Sequence, residues 1–193
     1  MIWLALLAGC ALPPLDSADT AGPGPIETCG DGTCSQADAE DPQSCPWDCG
    51  FTTLLISDLG GDNAGGTPGV DLDAVSVQHD GQTVWATEVV DASIQGPDNA
   101  WTDVTEALGP SDSECLQQHF VSLGGHDAWI ALGFGVPIRA GDTVTTYELS
   151  DDMCADGSKN DIYDVLLSNT ASVLDGQWIG IAAGKSVIEV PPF

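Results

Sequence analysis

Positive charge is what this sequence lacks. Against 30 Asp and Glu it carries only Arg139, Lys159 and Lys185, a formal net charge of −27 at pH 7. Without a basic patch or Lys/Arg stripe to release the counterions of a polyanion, nucleic acid is excluded as a partner. Helical periodicity is also missing: apolar residues recur every 3.6 positions for no more than one or two turns, Asp103 to Leu108 being the best candidate. There is no GxSxG elbow, no HExxH and no Gly-rich phosphate loop, so the chain is not expected to be an enzyme. The histidines are His79, His119 and His126, and His126-Asp127 beside Gly124-Gly125 reads as a solvated turn rather than a hydrolytic or metal site. In so acidic a chain, neighbouring carboxylates arise by chance and are no sign of a glycosidase.

Turn formers and core formers are present in quantity. With 23 Gly, 12 Pro and 42% hydrophobic residues, the composition favours an all-β fold with many turns over long helices. A chain of 193 residues holds one ordinary domain and a small appendage.

Residues 1 to 9 are apolar, too short to span a bilayer, and read as the hydrophobic region of a signal peptide. Their end, Leu7-Ala8-Gly9-Cys10, resembles the lipobox of bacterial lipoproteins, although no Lys or Arg precedes the run. That resemblance implies acylation of Cys10 as the lipid anchor, export, and attachment to the outer membrane or cell surface. Residues 10 to 28 are rich in Pro, Gly, Ala and acids and lack hydrophobic periodicity, as expected of a disordered tether.

Residues 29 to 50 carry Cys29, Cys34, Cys45 and Cys49. So short a segment cannot bury a core, and cysteines at this density behind an export signal point to disulfides in an oxidising compartment. Zinc is the rival, but the spacings are not paired CxxC knuckles and no His lies nearby. Three pairings of four cysteines are possible. Cys29-Gly30-Asp31-Gly32-Thr33-Cys34 and Cys45-Pro46-Trp47-Asp48-Cys49 resemble a four-Cys motif, CGDGxC followed by CPxDC, of exported bacterial proteins.

Residues 51 to 193 alternate apolar stretches with turn signals, the pattern of an antiparallel β-sandwich. Strands are predicted over 52–57, 70–79, 82–90, 120–123, 128–134, 143–149, 162–168, 178–182 and 186–190, with hairpin turns at Asp80-Gly81 and Ala183-Gly184. Trp85, Trp129, Phe134, Tyr147, Tyr163 and Trp178 fall on these strands and are expected to pack in the core. Gly69-Val70-Asp71-Leu72-Asp73-Ala74-Val75, Phe120 to Gly125, Ala131 to Phe134, Ala140 to Val144 and Trp178-Ile179-Gly180 resemble pieces of the jelly-roll or discoidin-like sandwiches of exported bacterial proteins. Modules of that architecture usually bind glycans or surfaces.

With Cys10 assigned to lipid and four cysteines to the motif, Cys115 and Cys154 remain and are expected to pair. Hard oxygen ligands on sandwich loops suit Ca²⁺. Asp71 and Asp73, on one face of a strand by alternation, are the candidate ligands, with Asp58, Asp62, Asp161 or Asp164 as further donors. The sequence thus leads to a cell-surface lipoprotein with a non-catalytic, calcium-stabilised binding or adhesion sandwich, its partners the membrane through the anchor and a glycan or envelope surface component. A structural envelope protein without ligand is the alternative, and a secreted hydrolase the weaker one.

Overall fold

A computed structural model describes Cys34 and residues 40–60, 69–95, 102–114, 116, 119–149 and 161–192. Ten strands lie within them: β1 (Phe51–Asp58), β2 (Asp71–His79), β3 (Gln82–Trp85), β4 (Glu88–Ser93), β5 (Val121–Ser122), β6 (Trp129–Ile138), β7 (Thr143–Glu148), β8 (Ile162–Ser168), β9 (Gln177–Ala183) and β10 (Ser186–Glu189). They form an all-β antiparallel sandwich. One sheet has the order β4-β6-β1-β8-β9 and the other β10-β7-β2-β3, with β5 also paired to the start of β2.

Inward positions alternate along the regular stretches of the strands, as a half-buried pleat requires, with register shifts where the alternation is interrupted. Leu54 and Ile56 on β1, Ile130, Leu132 and Phe134 on β6, Tyr163, Val165 and Leu167 on β8, and Val75 and Val77 on β2 meet in one core. Residues 80–81 make the expected hairpin: φ is 48° at Asp80 and 76° at Gly81, the left-handed pair of a type I′ turn. Val104–Ala107 forms a 3₁₀ turn inside the predicted 103–108 helix, and the Asp103 side chain caps it by accepting from the Thr105 amide.

Two strand expectations are revised. The continuous run 82–90 is two strands in different sheets, and the chain crosses between them at Ala86-Thr87. The Ala86 amide donates to Val75 O, behind it in the four-stranded order, while the Thr87 amide donates to Gly133 O on β6. Likewise Ala183-Gly184 joins no hairpin ladder, because β9 edges the five-stranded sheet and β10 edges the other.

The Cys-rich segment leads straight into the sandwich. Cys45 precedes a single helical turn, α1 (Pro46–Cys49), started by Pro46 at a first-turn position where its missing N–H costs nothing. Gly50, with φ 85°, turns the chain into β1. Cys34 and Cys49 form a disulfide, and Cys45 is disulfide-bonded as well. Trp47 packs edge-on against Phe51, with ring centroids 5.6 Å apart. The Asn169 side chain accepts from the Thr52 amide at 2.7 Å and donates to Pro42 O, holding the segment to the sandwich rim. Cys10, Cys29, Asp62, Cys115 and Cys154 lie outside the described residues.

Candidate functional site

The outward face of the five-stranded sheet is laid out by register. One row across it reads Ser93, Trp129, Ser57, Asp164 and Ile181, and the next reads Asp91, Ala131, Leu55, Leu166 and Trp178. Leu55, Ala131 and Leu166 form a small apolar floor, flanked by Trp129, Ala171 and Val173. Beyond it the face is open. Trp178 is 52% exposed, and Ile181 and Ile162 are exposed further along β9 and β8.

The Trp178 indole has a fixed place despite its exposure, since its Nε1–H donates to Asp164 Oδ1 at 2.8 Å. Trp129 and Trp178 stand on β6 and β9, three strand steps apart and thus roughly 14 Å at about 4.8 Å per strand. At the other end of the face the rows lead into a groove of about 560 Å³. Thr53, Glu88, Gly133 and Gly135 of the sheet line it together with Asn169, Thr170 and Pro42. Because Pro42 is held there by Asn169, the Cys-rich segment builds part of the groove.

The aromatics therefore divide in a way the sequence reading missed. Phe134 and Tyr163 are core residues, as expected. Trp85 and Tyr147 pack against each other on the outer side of the other sheet, where Lys185 Nζ lies 4.5 Å from the Tyr147 centroid. Lys185 already covers that ring, which leaves Trp178 as the more open aromatic surface.

The predicted calcium ligands do not gather as one set. Asp58 is buried and its carboxylate is occupied by main chain: Oδ1 accepts from the Gly60 amide at 2.7 Å, and Oδ2 from Val70 at 2.8 Å and Gly125 at 3.1 Å. Asp164 belongs to the outward face with Trp178. A register shift between Leu72 and Ala74 breaks the alternation from which Asp71 and Asp73 were placed on one face. Asp73 is engaged by the Ser111 hydroxyl and the Ser113 amide, and burial raises its pKa while the Ser111 bond opposes the rise.

Asp71 and Asp161 instead flank a residue the sequence reading did not single out, Glu148. On β7 the positions Val144, Thr146 and Glu148 point inward, and Glu148 is fully buried. No hydrogen bond of normal geometry reaches either of its carboxylate oxygens. Burial first, then the negative charge of Asp161 and, less strongly, that of Asp71 push its pKa up to about 8, while the nearby Asp161 amide, more than Asp71's charge, and the Gly184 amide act the other way. Nearby, the buried Tyr163 hydroxyl bonds Thr146 Oγ1 at 2.7 Å and donates to Gly184 O at 2.8 Å.

Among the described residues, two groups of three have potential ligand atoms within 4.8 Å of one another: Glu40, Cys45 and Asp48, and Asp112, Glu114 and His119. Cys45 is disulfide-bonded, so its sulfur is no thiolate ligand. The second group is an ion-paired surface cluster, His119 Nδ1 lying 2.8 Å from Asp112 Oδ2. The Glu148, Asp71 and Asp161 oxygens are spread more widely than these. No protein-family model, curated protein or solved structure matches the chain.

Proposed function

We propose that the chain is an exported, lipid-anchored surface protein whose sandwich binds a neutral glycan on the outward face of its five-stranded sheet, without catalysis. The observation that carries this reading is Trp178: a large apolar ring, half exposed and yet held in one orientation by Asp164. An exposed ring locked in place has lost its rotational entropy before any ligand arrives, which favours stacking against the flat apolar side of a sugar. Asp91, Asp164, Ser57 and Ser93 in the same two rows, and Thr53 and Glu88 in the groove, supply acceptors for sugar hydroxyls. In a chain of net charge −27 the same acids repel uronates and sulfated polymers, so the ligand is uncharged.

The lipobox-like Leu7-Ala8-Gly9-Cys10 supports the anchor, and the Cys34–Cys49 disulfide fits an oxidising compartment. Binding is tested on an array of neutral and anionic glycans, followed by titration calorimetry of the best ligand. Trp178→Ala should weaken binding at least tenfold with the melting temperature unchanged. A chain that binds no glycan, or a Trp178→Ala protein that binds as before, would defeat this reading in favour of a ligand-free envelope spacer. The anchor is tested by detergent phase partitioning, where Cys10→Ala protein should stay in the aqueous phase.

A further inference from the structure

Glu148 is a structural anomaly. A carboxyl with no exposure and no well-formed hydrogen bond to either oxygen, only the Asp161 and Gly184 amides nearby, is costly to place in a protein interior. Its surroundings make the cost larger, because Asp161 and Asp71 both bring negative charge to it. The described basic side chains offer no relief: Lys185 lies over the Tyr147 ring, and Arg139 belongs to the β6–β7 turn. The Tyr163 hydroxyl is committed to Thr146 and Gly184. The acids come from three separate elements, the start of β2, the end of β7 and the approach to β8, so they converge through the fold and not through local sequence.

We infer that Glu148, Asp71 and Asp161 form a site for a divalent cation of the Ca²⁺ class at this end of the sandwich. Glu148 supplies the oxygens from within, Asp71 comes from the neighbouring strand, and half-buried Asp161 closes the site from outside. Carboxylate oxygens are hard ligands, and Ca²⁺ accepts six to eight of them in irregular geometry. Water completes the shell on the Asp161 side. Because the three carboxylates are spread more widely than ligands about one ion, loading draws Asp161 inward and ties β8 to β2 and β7. Mg²⁺, which demands near-ideal octahedral geometry and gives up water reluctantly, is the poorer fit. Asp58 and Asp73 are no part of the site, since main-chain amides and Ser111 already hold them.

The test is calorimetric and independent of any glycan. The full chain is stripped with EDTA and then melted alone, in millimolar CaCl₂, and in MgCl₂ at matched ionic strength. The expected result is a Ca²⁺-specific rise in melting temperature, with direct binding by titration of Ca²⁺ into the stripped protein. Glu148→Gln should weaken that binding at least tenfold, Asp161→Asn should weaken it while leaving the fold intact by circular dichroism, and Asp73→Asn should leave it unchanged. Equal shifts in Ca²⁺ and Mg²⁺ would overturn the inference. So would full Ca²⁺ binding by Asp161→Asn, or a Glu148→Gln protein that is more stable than wild type in EDTA and responds to Ca²⁺ as before. That last outcome would make Glu148 a buried neutral acid. Should Glu148→Gln fail to fold, Asp161→Asn decides alone.

Discussion

Asp58 Oδ2 accepts a hydrogen bond from the Gly125 amide, 67 positions further along the chain. The same carboxylate takes the amides of Val70 and Gly60, so one side chain at the end of β1 fixes three turns of backbone at that end of the sandwich. Each of these amides would otherwise be a donor without an acceptor, and hydrogen bonds to a charged acceptor are worth about 1.5 to 3 kcal/mol each. Asp58→Asn turns one of the two acceptor oxygens into an NH₂ group facing amide donors. Urea unfolding should show a loss of about 2 to 3 kcal/mol. A midpoint unchanged from wild type would mean that the turns hold without the carboxylate.

Gly124 sits close to this anchor with φ 103°, and a Cβ there would run into the carbonyl of Gln95. Backbone strain and collision act together, since the left-handed conformation alone costs a non-glycine residue about 1 to 3 kcal/mol. Gly124→Ala should therefore destabilise the domain by at least about 2 kcal/mol, whereas Gly81→Ala, where nothing lies within 4 Å, should carry only the conformational share. Thermal melts of the two variants side by side check the order. Equal losses would show that Gln95 yields freely.

With Cys34 bonded to Cys49, the pairing that keeps both bonds inside residues 29–50 is Cys29 to Cys45. Peptide mapping of the unreduced protein should find these two bonds and a third between Cys115 and Cys154. A loop of about 40 residues closed by the last stabilises the sandwich by roughly 3 to 4 kcal/mol in the chain-entropy model. Free thiol at Cys115 and Cys154 would remove that contribution and its prediction together.

Strand alternation made most of the sandwich readable from sequence, and the departures have local causes. Gln82-Thr83-Val84-Trp85-Ala86-Thr87-Glu88-Val89-Val90 contains no Gly or Pro, so nothing in it marks the crossing at Ala86-Thr87 that sends its halves to opposite sheets. Which carbonyls accept those amides is decided by β2 and β6, at a distance in the chain. Glu148 was legible in principle, because Val144, Thr146 and Glu148 share one side of an alternating strand. A charged residue at an inward position simply contradicts what burial favours. Trp178 was opaque for the converse reason: in Trp178-Ile179-Gly180-Ile181 both faces are apolar, and alternation cannot say which one turns to solvent. The irregularity between Leu72 and Ala74, which interrupts the alternation at Asp73, is not revealed by β-strand pattern alone.

His119 is a pH-sensitive group in the surface cluster it forms with Asp112 and Glu114. The hydrogen bond with Asp112 raises its pKa above the ordinary 6.5, and Asp112, Glu114 and Glu106 add favourable charge. A histidine whose folded pKa is raised stabilises the protein fully below its unfolded pKa, and that contribution is lost as pH rises through the folded value. Titration of the imidazole by NMR should give a midpoint above 6.5, and Asp112→Asn should bring it down. A midpoint that ignores Asp112→Asn would place the cause elsewhere.

Tyr163 ties the two sheets together toward the Asp58 end of the core. It stands on β8 in the five-stranded sheet, bonds Thr146 of β7 in the opposite sheet at 2.7 Å, and donates to Gly184 O in the β9–β10 crossing at 2.8 Å. Its hydroxyl donates one proton and accepts another, so both partners depend on it. Tyr163→Phe leaves the Thr146 hydroxyl and the Gly184 carbonyl buried without it, and an unsatisfied buried polar group costs about 1 to 3 kcal/mol. Chemical denaturation should show a loss in that range. Thr146→Val removes one of the stranded groups, so the double variant Tyr163→Phe, Thr146→Val should be less destabilised than the two single losses added together. The interaction should amount to about 1 kcal/mol. Additive losses would show that the two hydroxyls are satisfied independently, and that the sheets are held by apolar packing alone at this point.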